Sequence, residues 1–113
     1  MLDKVIEIGI LFDFYGSLLT EKQQEAIQLY YYQDLSLSEI AERLEISRQG
    51  VYDHLHRGEE ALREYEEKLG LIKRYKVLKK ELDELEKAIR EYQIENSVKT
   101  SLMQRVEKIK KHL

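Results

Sequence analysis

The sequence predicts an all-α protein: a helix-turn-helix bundle with a long helical, coiled-coil-like C-terminal extension. Three observations carry that expectation. The 113 residues contain no proline and only five glycines, so the usual strand boundaries and turn signals are almost missing. Apolar residues recur at helical spacing along most of the chain. Serine or threonine stands ahead of successive periodic stretches, where a helix N-cap belongs. With 42% hydrophobic and 36% charged residues, the chain can bury one modest core, which suits one small domain plus an appendage. The expected division is a helix-turn-helix domain over residues 1–70 and an extension over 71–113 suited to pairing or dimerisation.

The first helix is expected from Leu2 to Tyr15, with Val5, Ile8, Leu11, Phe12 and Tyr15 on one broad face. Ile6, Ile10 and Phe14 leave little of it polar, so a second cover is expected, from the domain or from a partner chain. Gly16 ends it. The acids Asp3, Glu7 and Asp13 argue against a signal peptide, and the stretch is too short to span a bilayer, so no membrane span is expected. Thr20 followed by Gln23 forms a capping box, opening a second helix from Glu21 to about Gln33. Ser36 with Glu39 repeats the device and opens a short third helix ending near Leu44. Ser47 caps a fourth, which continues to Leu69 until Gly70 supplies a left-handed stop.

Beyond Gly70, Leu71, Tyr75, Leu78, Leu82, Leu85, Ile89 and Tyr92 follow alternating steps of four and three, a seam for helix pairing. After the polar break QIENS, a last helix carries Val98, Leu102, Val106, Ile109 and Leu113, able to fold back as a hairpin or to pair with another subunit. Several amphipathic helices in so small a chain predict a homodimer. The absence of cysteine removes disulfides, Cys-based zinc sites and thiol chemistry, as befits a reducing cytoplasm.

Within Leu37–Arg57, LSEIAERLEISRQGVYDHLHR, the pattern is that of a helix-turn-helix. Its two helices cross closely, so a small residue is needed at their approach and apolar residues must point into a shared core. Ala41 is the small residue, and Ile40, Leu44, Ile46, Val51 and Leu55 take the core positions. The outward residues of the second helix are then Arg48, Gln49, Tyr52, Asp53 and His56. Gly50 inside that helix permits either close approach to a nucleic-acid backbone or packing against the third helix.

Leu37–Leu62 resembles the C-terminal, promoter-reading region 4 of bacterial sigma factors, through LSEIAERLEIS and HLHRGEEAL. Nearly the whole chain resembles the YlxM family of small DNA-binding proteins, on the stretches FYGSLLT, LYYYQDLSLSEIAE and SRQGVYDHLHR. That resemblance implies a sigma-region-like helix-turn-helix protein, encoded beside the genes of the signal recognition particle and acting in or regulating that pathway.

Charge complicates this reading. Residues 1–62 hold five Lys/Arg against twelve Asp/Glu, whereas residues 63–113 hold fourteen against ten. DNA affinity comes largely from neutralised phosphates. The recognition helix offers only Arg48 and Arg57, offset by Asp53, Glu59 and Glu60. Further cations lie between Lys68 and Lys80, where Lys73, Lys76 and Lys80 share a face and Lys79 sits beside them without an intervening acid. Such a patch can grip the phosphates of DNA or of an RNA helix, or it is a solvated coiled-coil flank. The tail cations Lys108, Lys110, Lys111 and His112 make a weaker candidate.

Other constellations carry less. Tyr30, Tyr31 and Tyr32 could stack on bases, but consecutive helical residues fan widely, so one or two belong to the core. His54 and His56, two apart on a helix, point to nearly opposite sides and cannot share a metal. There is no Gly-rich phosphate loop, no nucleophile with a paired base and no evident carboxylate pair, so neither catalysis nor a cofactor is expected. The candidate nucleic-acid-binding residues are Arg48, Gln49, Tyr52, His56, Arg57, Lys73, Lys76, Lys79 and Lys80, with DNA or the particle RNA as partner. The alternative is an interaction module without DNA binding, whose acidic face contacts a particle GTPase or its RNA-bound form.

Overall fold

The structure is a computed structural model that describes residues 2–113, and all its regular elements are helical. They are α1 (Leu2–Tyr15), α2 (Glu21–Ile27), α3 (Leu37–Leu44), α4 (Arg48–Leu69), α5 (Leu71–Glu91) and α6 (Asn96–Lys110). The chain divides into two compact units, the first ending at Gly70 and the second beginning at Leu71. No helix among the described residues is long and apolar enough to cross a membrane.

Local chemistry explains most helix ends. Thr20 accepts from the Gln23 amide at 3.2 Å while the Gln23 side chain accepts from the Thr20 amide at 3.1 Å. Ser36 and Glu39 exchange the same two bonds at 3.1 and 3.0 Å, so both boxes satisfy amide groups that the first helical turn leaves orphaned. The hydrogen bond from the Ser36 amide and hydroxyl holds the Glu39 carboxyl below its ordinary value. Gly70 closes α4 at φ 61, its amide donating to the Glu66 carbonyl at 2.8 Å.

One element departs from regular expectation. The second helix does reach Gln33, but its last turn, Gln28–Tyr32, widens into a π-helix closed by Gln33 N–H donating to the Gln28 carbonyl at 3.1 Å. Its three consecutive tyrosines meet three environments. Tyr30 packs against the core of the α3–α4 pair. Tyr31 is half-buried beside Glu59, and Tyr32 packs its ring 5.8 Å from Phe12 while remaining exposed.

In the first unit α4 is the shared partner of α1, α2 and α3. Ile8, Leu11, Tyr15, Ala26, Ile27, Ile40, Val51, Leu55 and Leu62 are buried around it. α2 and α4 meet at Gly58, where an added Cβ would lie 2.9 Å from the Ile27 Cδ1. α1 is clamped to α4 by polar contacts in the same order along both helices. Lys4 pairs with Glu59 at 3.0 Å, Glu7 with Arg63 at 2.9 Å, and the Tyr15 hydroxyl donates to Glu66 at 2.6 Å. Of the expected α1 face, Ile8, Leu11 and Tyr15 are buried and Phe12 half-buried, while Val5 is exposed. Leu2, Ile6 and Ile10 form an exposed stripe.

The second unit is an antiparallel hairpin of α5 and α6. Lys110 of α6 contacts Asp83 of α5 at 2.8 Å and also Glu86, and Lys99 Nζ donates to the Arg90 carbonyl at 3.2 Å. The seam differs from the strict heptad. Glu86 is buried and Ile89 beside it is buried, whereas Leu78 and Leu85 remain 43% and 46% exposed. Glu86 turns inward to meet Lys110 and Arg90, and a buried carboxylate is tolerated only when paired.

Candidate nucleic-acid interface

The α3–α4 pair is built on a three-residue turn. Glu45 adopts the left-handed conformation at φ 58, the Ile46 amide donates to the Ala41 carbonyl at 3.1 Å, and Ser47 caps α4 by accepting from the Gly50 amide at 2.9 Å. Leu29, Ile40 and Val51 form the buried core beneath it, with Tyr30, Leu35, Leu37, Ala41, Leu44 and Ile46 packed around. Burying the inward stripe of α4 leaves its opposite stripe in water.

Arg48, Gln49, Tyr52, Asp53, His56 and Arg57 are all exposed, Tyr52 at 48%. They are not independent of one another. Gln49 Nε2 donates to Asp53 Oδ1 at 3.0 Å, the Tyr52 and His56 rings stack with centroids 5.8 Å apart and planes 7° from parallel, and His56 Nε2 lies 3.1 Å from Glu60 Oε1. These are neighbours at i, i+4, which helical geometry brings together. The result is a pre-ordered polar and aromatic stripe on the second helix of a helix-turn-helix.

Two expectations about this helix need adjusting. Glu59 is 5% exposed and faces inward to Lys4 and Tyr31, so it does not share the surface of Arg48 and Arg57. Of the three acids set against those arginines, only Asp53 and Glu60 are outward. Burial and the adjacent Glu59 carboxylate in turn push the Tyr31 hydroxyl well above the ordinary tyrosine range. As for Gly50, an added Cβ would stand 3.2 Å from the Ser47 hydroxyl and 3.6 Å from Ile46 Cδ1. Its small size therefore serves the cap and turn rather than packing against α3.

The remaining candidates occupy the second unit. Lys73, Lys76, Lys79 and Lys80 are exposed along α5, and the last three border a shallow depression of about 550 Å3 with Tyr75, Asp83, Glu84 and Lys87. The nine sequence-selected residues thus form two groups, five on α4 and four on α5. Among the tail cations, Lys110 is committed to Asp83 and Glu86. Those two carboxylates lift the Lys110 ammonium above its ordinary range, and Lys110 holds the Asp83 carboxyl below its own. His54 is half-buried and His56 exposed, on different sides of α4.

Sequence reasoning missed the internal bonding of the α4 stripe, although the i, i+4 spacings of Gln49 with Asp53 and of His56 with Glu60 carry the signal. It also missed Glu59, for which a surface carboxylate is the default expectation.

Comparison with known proteins agrees with this geometry. A family model described as "Putative helix-turn-helix protein, YlxM / p13 like" matches residues 2–111. A UPF0122 protein of Thermoanaerobacter sp. (strain X514) is 52% identical over 87 residues, covering 77% of this chain and 74% of its own. Those of Shouchella clausii (strain KSM-K16) and Bacillus cereus (strain AH187) are 48% and 43% identical over 109 residues, each covering 96% of this chain and 99% of its own.

Proposed function

The chain belongs to the UPF0122 family of YlxM/p13-like helix-turn-helix proteins, and from that premise we propose that it is a regulatory nucleic-acid-binding protein of the signal recognition particle pathway, working in the cytoplasm as a homodimer. The observation that carries this reading is the exposed stripe of α4, held away from the body of its unit by a Ser47 cap and the Ile40–Val51 core. Arg48, Gln49, Tyr52 and His56 supply donors, acceptors and aromatic faces to base edges, while Arg57 and the lysines Lys73, Lys76, Lys79 and Lys80 supply charge to phosphates. The sigma region 4 resemblance supports insertion of α4 in a major groove. No step of this function requires a catalytic group or a cofactor.

Selection of duplex DNA from a randomised pool tests the inserted helix. Enrichment of a defined sequence is expected, with loss of discrimination when Arg48→Ala and Gln49→Ala are combined. Unchanged discrimination removes base readout from α4. Arg57→Ala should weaken all duplexes alike and lower the salt slope by about 0.9 for the phosphate it no longer neutralises.

A second reading is favoured by charge. Residues 1–70 hold fifteen Asp/Glu against seven Lys/Arg, and residues 71–113 hold seven against twelve. In this reading the acidic first unit engages a particle GTPase and the lysines of α5 grip the particle RNA, with no duplex preference. Reversing Lys76, Lys79 and Lys80 to Glu should then abolish RNA binding, whereas DNA discrimination by α4 would survive under the first reading.

A further inference from the structure

Six of the exposed apolar residues of the α5–α6 hairpin fall in a pattern, from which the exposed Val77 of α5 stands apart. Along α5, Leu78, Leu85 and Tyr92 (one residue past the helix) recur every seven residues and are 43%, 46% and 63% exposed. Along α6, Val98, Leu102 and Ile109 are 47%, 38% and 50% exposed. The residues that face across the hairpin are others: Leu82, Glu86 and Ile89 on α5, and Lys99, Met103, Val106 and Lys110 on α6, all buried or half-buried. At about 100° per residue, the exposed apolar set lies some 60–90° round from the facing set, in the same rotational sense on both helices.

That shared sense decides the geometry. The Asp83–Lys110 and Arg90–Lys99 contacts make the two helices antiparallel. Rotating each antiparallel helix by the same sense about its own direction brings both apolar sets to the same side of the hairpin. The six residues therefore form one face. Their exposed fractions amount to several hundred Å2 of surface, comparable to the largest apolar patch of an ordinary monomer (roughly 300–600 Å2) and a substantial part of the roughly 800 Å2 per partner of a standard specific interface. An antiparallel helix pair with one apolar side is half of a four-helix bundle.

Charge selects the occupant. Bordering the face alongside Leu85, α5 carries the exposed acids Glu81 and Glu84, with the exposed Arg74 a turn before Leu78, and α6 carries the exposed Arg105. Packing α5 against its own copy, centred on Leu85, would set Glu84 near its own equivalent. Packing α5 against α6 of a second copy sets Glu81 and Glu84 beside Arg105, as opposite charges flank helix seams elsewhere. We propose that a second copy of this chain covers the face, two hairpins closing a twofold four-helix bundle in which α5 of each packs against α6 of the other. This inference rests on the homodimer reading and names its surface.

Sedimentation equilibrium of the full chain at micromolar concentration should give twice the 13.5 kDa chain mass. Combining Leu85→Glu with Ile109→Glu should raise the dimer dissociation constant at least 100-fold while circular dichroism keeps its helical signal. Because the chain has no cysteine, a Glu84→Cys chain mixed with an Arg105→Cys chain reports the pairing directly, and does so even if the double variant unfolds. Oxidation should yield the mixed disulfide in preference to either self-linked product. A self-linked Glu84→Cys product in excess would overturn the α5-to-α6 arrangement. A double variant that stays dimeric like the wild type, with helicity intact, would refute this surface and leave the homodimer standing elsewhere, for instance on the α1 stripe. A monomeric wild type would refute both and assign the face to a different protein.

Discussion

Gly58 is the glycine with the least room for a side chain, and replacing it with alanine tests how the helix-turn-helix is held. At an open helical position, Gly→Ala stabilises by about 1 kcal/mol, because alanine surrenders less backbone entropy. Gly9 is such a position, since a Cβ there meets only the Tyr32 hydroxyl at 3.9 Å. At Gly58 the new methyl would stand 2.9 Å from Ile27 Cδ1 and 3.4 Å from Gln23 Cβ. Ile27 is 0% exposed, so its terminal methyl must shift within the packed interior rather than swing out into water. Overpacking of this kind costs about 1–3 kcal/mol, which cancels or exceeds the propensity gain. Urea denaturation followed by circular dichroism should therefore show Gly9→Ala stabilised by about 0.5–1 kcal/mol and Gly58→Ala destabilised by about 1 kcal/mol. Ile27→Val removes the clashing atom and alone costs about 0.5–1.5 kcal/mol. Added to Gly58→Ala it should restore stability, giving a coupling energy of about 1–2 kcal/mol. If Gly58→Ala is as stabilising as Gly9→Ala, or if the cycle is additive, the close approach of α2 to α4 is not what places α4.

Three further outcomes are expected. Glu45→Gly relieves a left-handed backbone at φ 58 and should raise the melting temperature by about 3–5 °C in a thermal scan, whereas Glu45→Ala should not. Tyr31 is held protonated by burial and by Glu59, so its folded value stands above the ordinary 10.0; its stabilising contribution is complete below pH 10 and declines as the pH rises above that toward the folded value. Tyrosinate absorbance should show Tyr31 titrating late, and Tyr31→Phe should reduce the alkaline loss of stability. Asp83 is held ionised by Lys110, so its contribution is present above its ordinary 3.8 and is lost as the pH falls through the lower folded value. Replacing Lys110 by Gln should flatten the stability profile of the hairpin below pH 4, and an unaltered acid limb would show that the Lys110 contact contributes nothing in solution.

Local chemistry was legible in the sequence. The caps at Thr20, Ser36 and Ser47 and the stop at Gly70 depend on side chains within three residues of the bonds they make, so spacing alone locates them. The apolar period likewise identifies Ile40, Val51 and Leu55 as inward and Arg48, Gln49, Tyr52 and His56 as outward. What spacing cannot show is what the partner element demands. The π turn at Gln28–Tyr32 places tyrosines against Phe12, against Glu59 and in the α3–α4 core, three contacts distant in sequence. Glu59 and Glu86 have the composition of surface residues and are drawn inward by Lys4 and Lys110. The heptad of α5 reads as a single seam, yet the buried contact includes Glu86 with Lys110 and leaves Leu78, Leu85 and Tyr92 uncovered. Whether a surface stripe meets bases, phosphates or protein lies in its partner, which periodicity does not encode.

Amide chemical-shift mapping measures that partner contact most directly. The 15N-labelled chain would be titrated with the duplex enriched by selection, with a scrambled duplex as control. The proposed function predicts specific, saturable shifts concentrated on Arg48 to Arg57 of α4, and salt-sensitive shifts on Lys73 to Lys80 with either duplex. Shifts confined to the lysines, or to acidic surfaces on addition of a basic protein partner with α4 unmoved, would contradict it.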